Sequence, residues 1–475
     1  MATDWLAVEL FRIFKIIHTL FFSRIYYKKR LVKIGKHLDI QIKTMSKYSI
    51  KTESLYIFIV TLLFPFVGLI LSLVQWKKSW AMNIFWIACI YMGSILIYHF
   101  EGTMLGEGMD SGRYVLDLIY MYNYSFITIP YIISLYQIDA NHMDLYQQLI
   151  TYFVSRFTDN GHVLFAVFAT VFGFFYSRNI WYILDKLPSK KLGILYVLFG
   201  LFFLVCPITQ INGVRMWTAL HVFVYAMLPY LVEKKKSRLW LLFITPLIHF
   251  SYLYVVIFSI IYVLIPFIFK TNNILFIYFA IITYIVTLFI NSLSLDAVSS
   301  MMTEYSPESY EGRIDMYVNQ DVLDKKNENL ASNNWYLAAG RNISNWSYSI
   351  ILVLLFPVIR KYFKDNKSLT NLYIYTMLIG SFANITALIP SGGRFQILAT
   401  MFKLSTILLI VLNIPKNITV YKISRIFSII LILPLIVEFR KLFDFFGINL
   451  IFGNFITVFF FESNVPLITF IKRLL

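Results

Sequence analysis

Runs of about 20 apolar residues recur along this chain from Ser54 onward, and few architectures accommodate that pattern. A strand of a membrane barrel needs about ten residues of alternating character, so continuous runs of this length point to helices that cross a bilayer. Composition agrees: of 475 residues 59% are hydrophobic and 14% charged, where soluble domains carry about 25% charged residues. The expected fold is all-α, a polytopic integral membrane protein with roughly eleven to fourteen transmembrane helices.

The formal net charge is +17, but Lys and Arg stand in short clusters between apolar runs, as cytoplasmic loops do, so nucleic acid is not an expected partner. Arg24 to Lys51 holds nine bases and one acid, Asp39. It reads as a segment beside anionic lipid, preceded by an interfacial amphipathic helix near Trp5 to Phe22. Glu9, Arg12 and Lys15 inside that stretch argue against a cleavable signal peptide. Residues 1–53 are therefore expected to form a basic extension, and 54–475 one multi-pass domain.

Two regions invert the charge balance and are expected outside. Residues 100–160 carry seven acids against Arg113 and Arg156, and residues 291–343 carry eight acids against four bases. The tyrosine-rich stretch Tyr120 to Tyr136 either lies along the membrane surface or enters it. Counting spans back from the later loops puts Arg24 to Lys51 on the outer side, against the charge rule, unless such an element changes the parity. Leu239 to Phe267 is too long for one span and too short for two, which predicts a hairpin or broken helix around His249 and Ser251. Cys89 and Cys206 lie within apolar runs and read as small buried hydrophobes.

Candidate chemistry gathers where apolar runs meet turns. Glu101 to Tyr114, EGTMLGEGMDSGRY, follows a membrane-length run and brings Glu107, Asp110 and Arg113 beside glycines. Arg215 in NGVRMWTAL, His249 in PLIHFSY and Arg394 in PSGGRFQ stand at similar boundaries. A single arginine there can simply snorkel to headgroups, and His249 can be a buried structural histidine. Guanidinium forks on the expected outer side suit an anionic ligand, because they bind phosphate bidentately and stay charged. Helical spacing puts Thr218 and Ala219 on the face of Arg215 and turns His221 away. No P-loop, dinucleotide fingerprint, paired-histidine helix or nucleophile elbow occurs. The acids are scattered, so neither a metal site nor a cofactor is indicated.

Taken together, these pieces resemble the EpsG family of bacterial Wzy-type polysaccharide polymerases. The likeness rests on Gly108, Asp110 and Tyr114 after a strong span, Arg215 with Ala219, His249 with Ser251, and Arg394 followed by Phe395. Met109, Met216 and the extension Met1 to Tyr48 depart from that pattern. The resemblance implies a multi-pass enzyme of the bacterial inner membrane, similar to membrane GT-C-type glycosyltransferases. Such an enzyme joins oligosaccharide repeat units carried on polyprenyl diphosphate, among membrane lipids, with a flippase and a chain-length regulator as partners. On that reading Arg215 and Arg394 hold the diphosphate, with Arg113 or Arg313 as a third cation. Tyr114 contacts substrate, and Asp110, or else His249, receives the proton of the acceptor hydroxyl. A flippase for lipid-linked sugar is the main competitor, since it would also use buried arginine and broken helices. A membrane acyltransferase would need a catalytic histidine, for which His249 alone is thin support.

Overall fold

The structure is a computed structural model that describes residues 52–96, 110–124, 128–138, 144–188, 193–268, 274–290, 334–362, 367–389, 392–414, 417–460 and 465–474. The expected N-terminal amphipathic helix, the segment Arg24 to Lys51, Glu107, Arg313 and residues 291–333 lie outside them. Packing divides the chain into residues 1–59 and 60–475, and the account below concerns the second unit.

α1 (Pro65–Val74) opens on a proline, whose missing N–H is no loss in a first turn. It leads past Lys77 and Lys78 into α2 (Ala81–Ser94). Three short helices follow, α3 (Asp110–Asn123), α4 (Ile129–Ile138) and α5 (Leu145–Ser155). Asn160 then caps the long α6 (Gly161–Leu184), its side chain accepting from the N–H groups of His162 and Val163. α6 lies antiparallel to α2. His162 Nδ1 is 2.6 Å from the carbonyl of Ser94 at one end, Trp86 Nε1 donates to Thr170 midway, and Lys77 Nζ donates to the carbonyl of Asp185 at the other. The backbones pack closely because Gly93 faces Ala169 and Gly173 faces Cys89. The contact between Ser94 and His162 also puts the departure toward α3 and the return from α5 at the same end of the α2–α6 pair.

α7 (Ile194–Leu204) leads to a 3-10 turn, Ile208–Gly213, and then α8 (Val214–Glu233). The chain doubles back about this turn, for His221 Nε2 lies 3.0 Å from the carbonyl of Cys206. His221 is fully buried and also meets Asn179, so it is a packing residue, as its helical position suggested. The block Leu239 to Phe267 is broken as expected. A 3-10 helix, Lys236–Phe243, and one turn of helix, α9 (Thr245–Ile248), end at His249, whose φ of −149° and ψ of 117° are extended. α10 (Tyr252–Ile268) starts three residues later. The remainder is α11 (Ile274–Leu288), α12 (Trp335–Lys361), α13 (Lys367–Thr386), α14 (Phe395–Asn413), and the pair α15 (Ile418–Ile430) and α16 (Ile432–Phe445), bent by 48°.

No strand forms among the described residues; one isolated bridge joins Leu96 to Phe446. Four stretches are long and apolar enough to cross a membrane, Gly161–Leu184, Leu195–Glu233, Trp335–Lys361 and Gly392–Asn413, or five if the bent pair is one span. These do not by themselves reach the expected eleven to fourteen, because other apolar runs are cut into helices such as Ala81–Ser94 and Ile274–Leu288. Large apolar side chains point outward in stripes. Leu275, Phe279, Ile282 and Val286 recur along one face of α11, each more than half exposed, an arrangement suited to lipid. The core is aromatic, and Cys89 and Cys206 are free and buried within it.

Charge separates the two ends of this bundle. Lys77, Lys186, Glu233, Lys235 and Arg238 gather where α6 meets its C-terminus and α8 runs out, with Glu233 paired to Lys186 at 2.9 Å and to Lys235 at 2.6 Å. Asp110, Asp144, Arg215 and His249 lie toward the opposite end. A Cβ on Gly93 would come within 2.3 Å of the Ala169 Cβ. Gly93→Ala should therefore cost about 1–3 kcal/mol by overpacking, and adding Ala169→Gly should recover most of it, as read from thermal melts of the detergent-solubilised protein.

Candidate functional site

Arg215 is the second residue of α8, and its guanidinium is held from two sides. Nη1 lies 3.2 Å from Oδ2 of Asp144, and Nε donates to the Tyr114 hydroxyl at 3.2 Å. Accepting that bond leaves the tyrosine its own O–H to donate onward. Burial pushes the Tyr114 phenol well above its ordinary range, aided by Asp110 and Asp144 and opposed by Arg215, so it stays protonated. Among the described residues Nη2 of Arg215 has no partner, so that nitrogen is uncommitted.

Asp144 is the hinge of the arrangement. It immediately precedes α5, where an aspartate usually caps the first turn, yet its side chain makes no capping bond. Oδ1 instead accepts from the backbone N–H of Phe250 at 2.8 Å and lies 4.0 Å from Nδ1 of His249, while Oδ2 faces Arg215. Its side chain is 7% exposed, so both oxygens are committed inside the protein. The break at His249 thus docks onto the start of α5, and α8 docks onto both. Ser251 completes the corner: its N–H donates to His249 Nδ1 at 3.3 Å, and its hydroxyl lies 3.1 Å from the same nitrogen. A neutral ring accepting at Nδ1 carries its proton on Nε2.

Asp110 opens α3 and pairs with Arg113 one turn on. This pair is more open to solvent, the arginine side chain 60% exposed and the aspartate 29%. Tyr114 shares the face of Asp110, so α3 presents a carboxylate and a phenol toward Arg215. Several buried polar atoms nearby lack a hydrogen-bond partner among the described residues: Ser111 Oγ beside Asp110, Gln148 Oε1 on α5, and both amide atoms of Asn212 in the turn before α8. Such atoms are rare in folded proteins and collect where a polar ligand or water is received.

Of the residues singled out from sequence, Asp110, Arg113, Tyr114, Arg215 and His249 converge here. Arg394 does not join them by any bond among the described residues. It lies exposed in the 3-10 turn Gly392–Arg394, which requires glycine at 392 because a Cβ there would sit 1.7 Å from the Thr386 carbonyl. It does share the rim, since the neighbouring Phe395 ring packs on Tyr252, 6.1 Å between centroids and three residues after His249. Asp144 carries no distinguishing motif in the sequence; its position before an apolar helix suggests only a cap. Among the described residues no group of three or more His, Cys, Asp or Glu is placed to hold a metal ion.

The profile of the EpsG family matches residues 105–439, which takes in every residue of this cluster. The chain belongs to the EpsG family. No curated protein and no solved structure matches it. Membership, together with the apolar helices, makes this EpsG-family chain a membrane protein and ties it to polysaccharide biosynthesis.

Removing either partner strands the other in a desolvated place. Asp144→Ala or Arg215→Ala should each lower stability by about 2 kcal/mol, less than a fully buried pair because Arg215 is partly open. The double variant should lose less than the sum, which denaturant unfolding in detergent measures as a coupling energy.

Proposed function

We propose that this protein is a Wzy-type polysaccharide polymerase, a glycosyltransferase that joins oligosaccharide repeat units carried on polyprenyl diphosphate. The observation that carries this reading is the Arg215 guanidinium, fixed by Asp144 and Tyr114 with one edge left for a ligand. The basic end of the bundle suits the cytoplasm by the positive-inside rule, so the cluster would face the outer side of a bacterial inner membrane. We take the chain to pass the bilayer eleven to fourteen times, its shorter apolar helices crossing together with the four or five long ones. That architecture goes with the expected likeness to membrane GT-C-type enzymes, and flippase and chain-length regulator remain the expected partners.

In the reaction the acceptor hydroxyl oxygen attacks the anomeric carbon of the donor chain. The bond from that carbon to the diphosphate oxygen breaks, and its electron pair leaves with the diphosphate. Charge therefore builds on phosphate oxygens, and a fixed cation in a water-poor pocket stabilises it without reorganising. Arg215 supplies that cation, Tyr114 an O–H donor beside it, and Arg113 and Arg394 lie nearer solvent where an incoming head group would first meet them. The acceptor proton needs a base. Asp144 is unsuited, with both oxygens engaged, whereas Asp110 is partly open and stands on the face of Tyr114. Asp110 is the base on this reading, His249 the alternative. Orphaned donors and acceptors at Ser111, Gln148 and Asn212 fit the hydroxyls of a sugar. A flippase is less well supported, because the cluster lies toward one end of the bundle instead of at a midplane cavity.

Arg215→Ala and Arg215→Lys in membranes fed lipid-linked repeat units should both lose polymer, by about 100-fold or more for the alanine variant, while single repeat units accumulate on the outer face. Wild-type polymer length in both would remove the clamp.

A further inference from the structure

Away from the Arg215 cluster, a groove opens at the opposite, basic end of the bundle. α11 and α12 run antiparallel: the Tyr284 hydroxyl lies 2.7 Å from Ser349 Oγ, and further along the Tyr278 ring meets Phe356 edge-on, 5.2 Å between centroids. Beyond Tyr278 the two helices leave a groove of about 330 Å³, lined by Ile274, Phe356, Pro357, Arg360 and Lys361. The path of the chain fixes which end this is. α13 runs up to the turn at Arg394, whose neighbour Phe395 packs on Tyr252 close to His249. The start of α13 at Lys367, and with it the end of α12, therefore lies at the far end from the site.

Two bases in the last turn of a helix are ordinary, since they meet its negative pole, and such side chains commonly just reach for water. Three features set this pair apart. Arg360 is held in place, its guanidinium carbon 5.6 Å from the centroid of the Tyr278 ring, so the ring that packs on Phe356 also ties the cation to the groove's apolar wall. Arg360 and Lys361 are exposed, and among the described residues no carboxylate pairs with either, whereas Lys186 and Lys235 at the same end are both paired to Glu233. The groove also adjoins the lipid-facing stripe of α11, for Ile274 is followed by Leu275, 65% exposed, and one turn on by Phe279.

A cation at the water edge, an apolar wall behind it and an outlet to lipid select one kind of ligand. A soluble anion would leave Phe356 and Pro357 unused, and a lipid without net charge would leave two cations unanswered. We propose that this groove binds an anionic phospholipid of the cytoplasmic leaflet, its phosphate at Arg360 and Lys361 and an acyl chain along Leu275 and Phe279. Nothing in this depends on the reaction at Arg215; the leaflet follows from the basic end facing the cytoplasm.

Native mass spectrometry of the full-length protein in a neutral detergent reads bound lipid directly. Wild type should hold dioleoyl phosphatidylglycerol about tenfold more tightly than phosphatidylcholine of the same chains. Arg360→Gln with Lys361→Gln should erase that preference, whereas Lys235→Gln with Lys236→Gln, outside the groove at the same end, should keep it. Ile274→Trp fills the groove and leaves the charge, and should weaken phosphatidylglycerol as much as the first pair does. Equal loss in the Lys235 and Lys236 variant, or undiminished binding by Ile274→Trp, would reduce the effect to charge at the membrane edge and overturn the site. Glycerol phosphate competing as well as the lipid would overturn the lipid assignment. All these side chains are exposed, so melts in detergent should match wild type; if the Arg360 and Lys361 variant melts lower, Ile274→Trp decides.

Discussion

A guanidinium stays inside a low-dielectric bundle only if a carboxylate stays with it, and the pairing of Arg215 with Asp144 is the constraint on which the rest of the site depends. It joins segments far apart in the chain: the start of α5, the start of α8, and, through the Phe250 amide, the break between α9 and α10. Tyr114 brings in α3 by the same arginine. Because Asp144 spends both oxygens on these contacts, the first turn of α5 goes without its usual cap. Local helix stability has been given up to a tertiary contact, as expected where a residue is placed for a site and not for its own helix.

The same constraint explains why helices around the site are short or broken. Backbone polar groups exposed to hydrocarbon are prohibitively costly, so irregular backbone at membrane depth survives only where protein satisfies it. At His249 the chain is extended, and the freed amides of Phe250 and Ser251 are taken by Asp144 and by the His249 ring. Elsewhere the long helices α6, α12 and α14 run uninterrupted.

Much of this was legible in the sequence because cost is legible. Arg215, His249, Asp110 and Tyr114 stand out where glycine-rich or broken turns interrupt greasy runs, and the structure gathers all four. The break inside Leu239 to Phe267 followed from length alone. Asp144 was not readable, since it is one of seven acids in a single region and no periodicity tells which one turns inward. Arg394 shows the limit of reasoning from position, for it stands exposed in its turn, without a bond to the cluster among the described residues.

These three cations differ in what holds them. Arg394 is at the surface and water suffices. Arg215 is half-enclosed and its charge is met by Asp144, so the local field is close to balanced. Lys403, buried midway along α14, meets the face of the Tyr284 ring, and among the described residues no carboxylate pairs with it. A pre-paired cation favours geometry, holding its ligand in one orientation as charge shifts during a reaction. An unpaired one favours occupancy, because binding an anion removes a standing penalty.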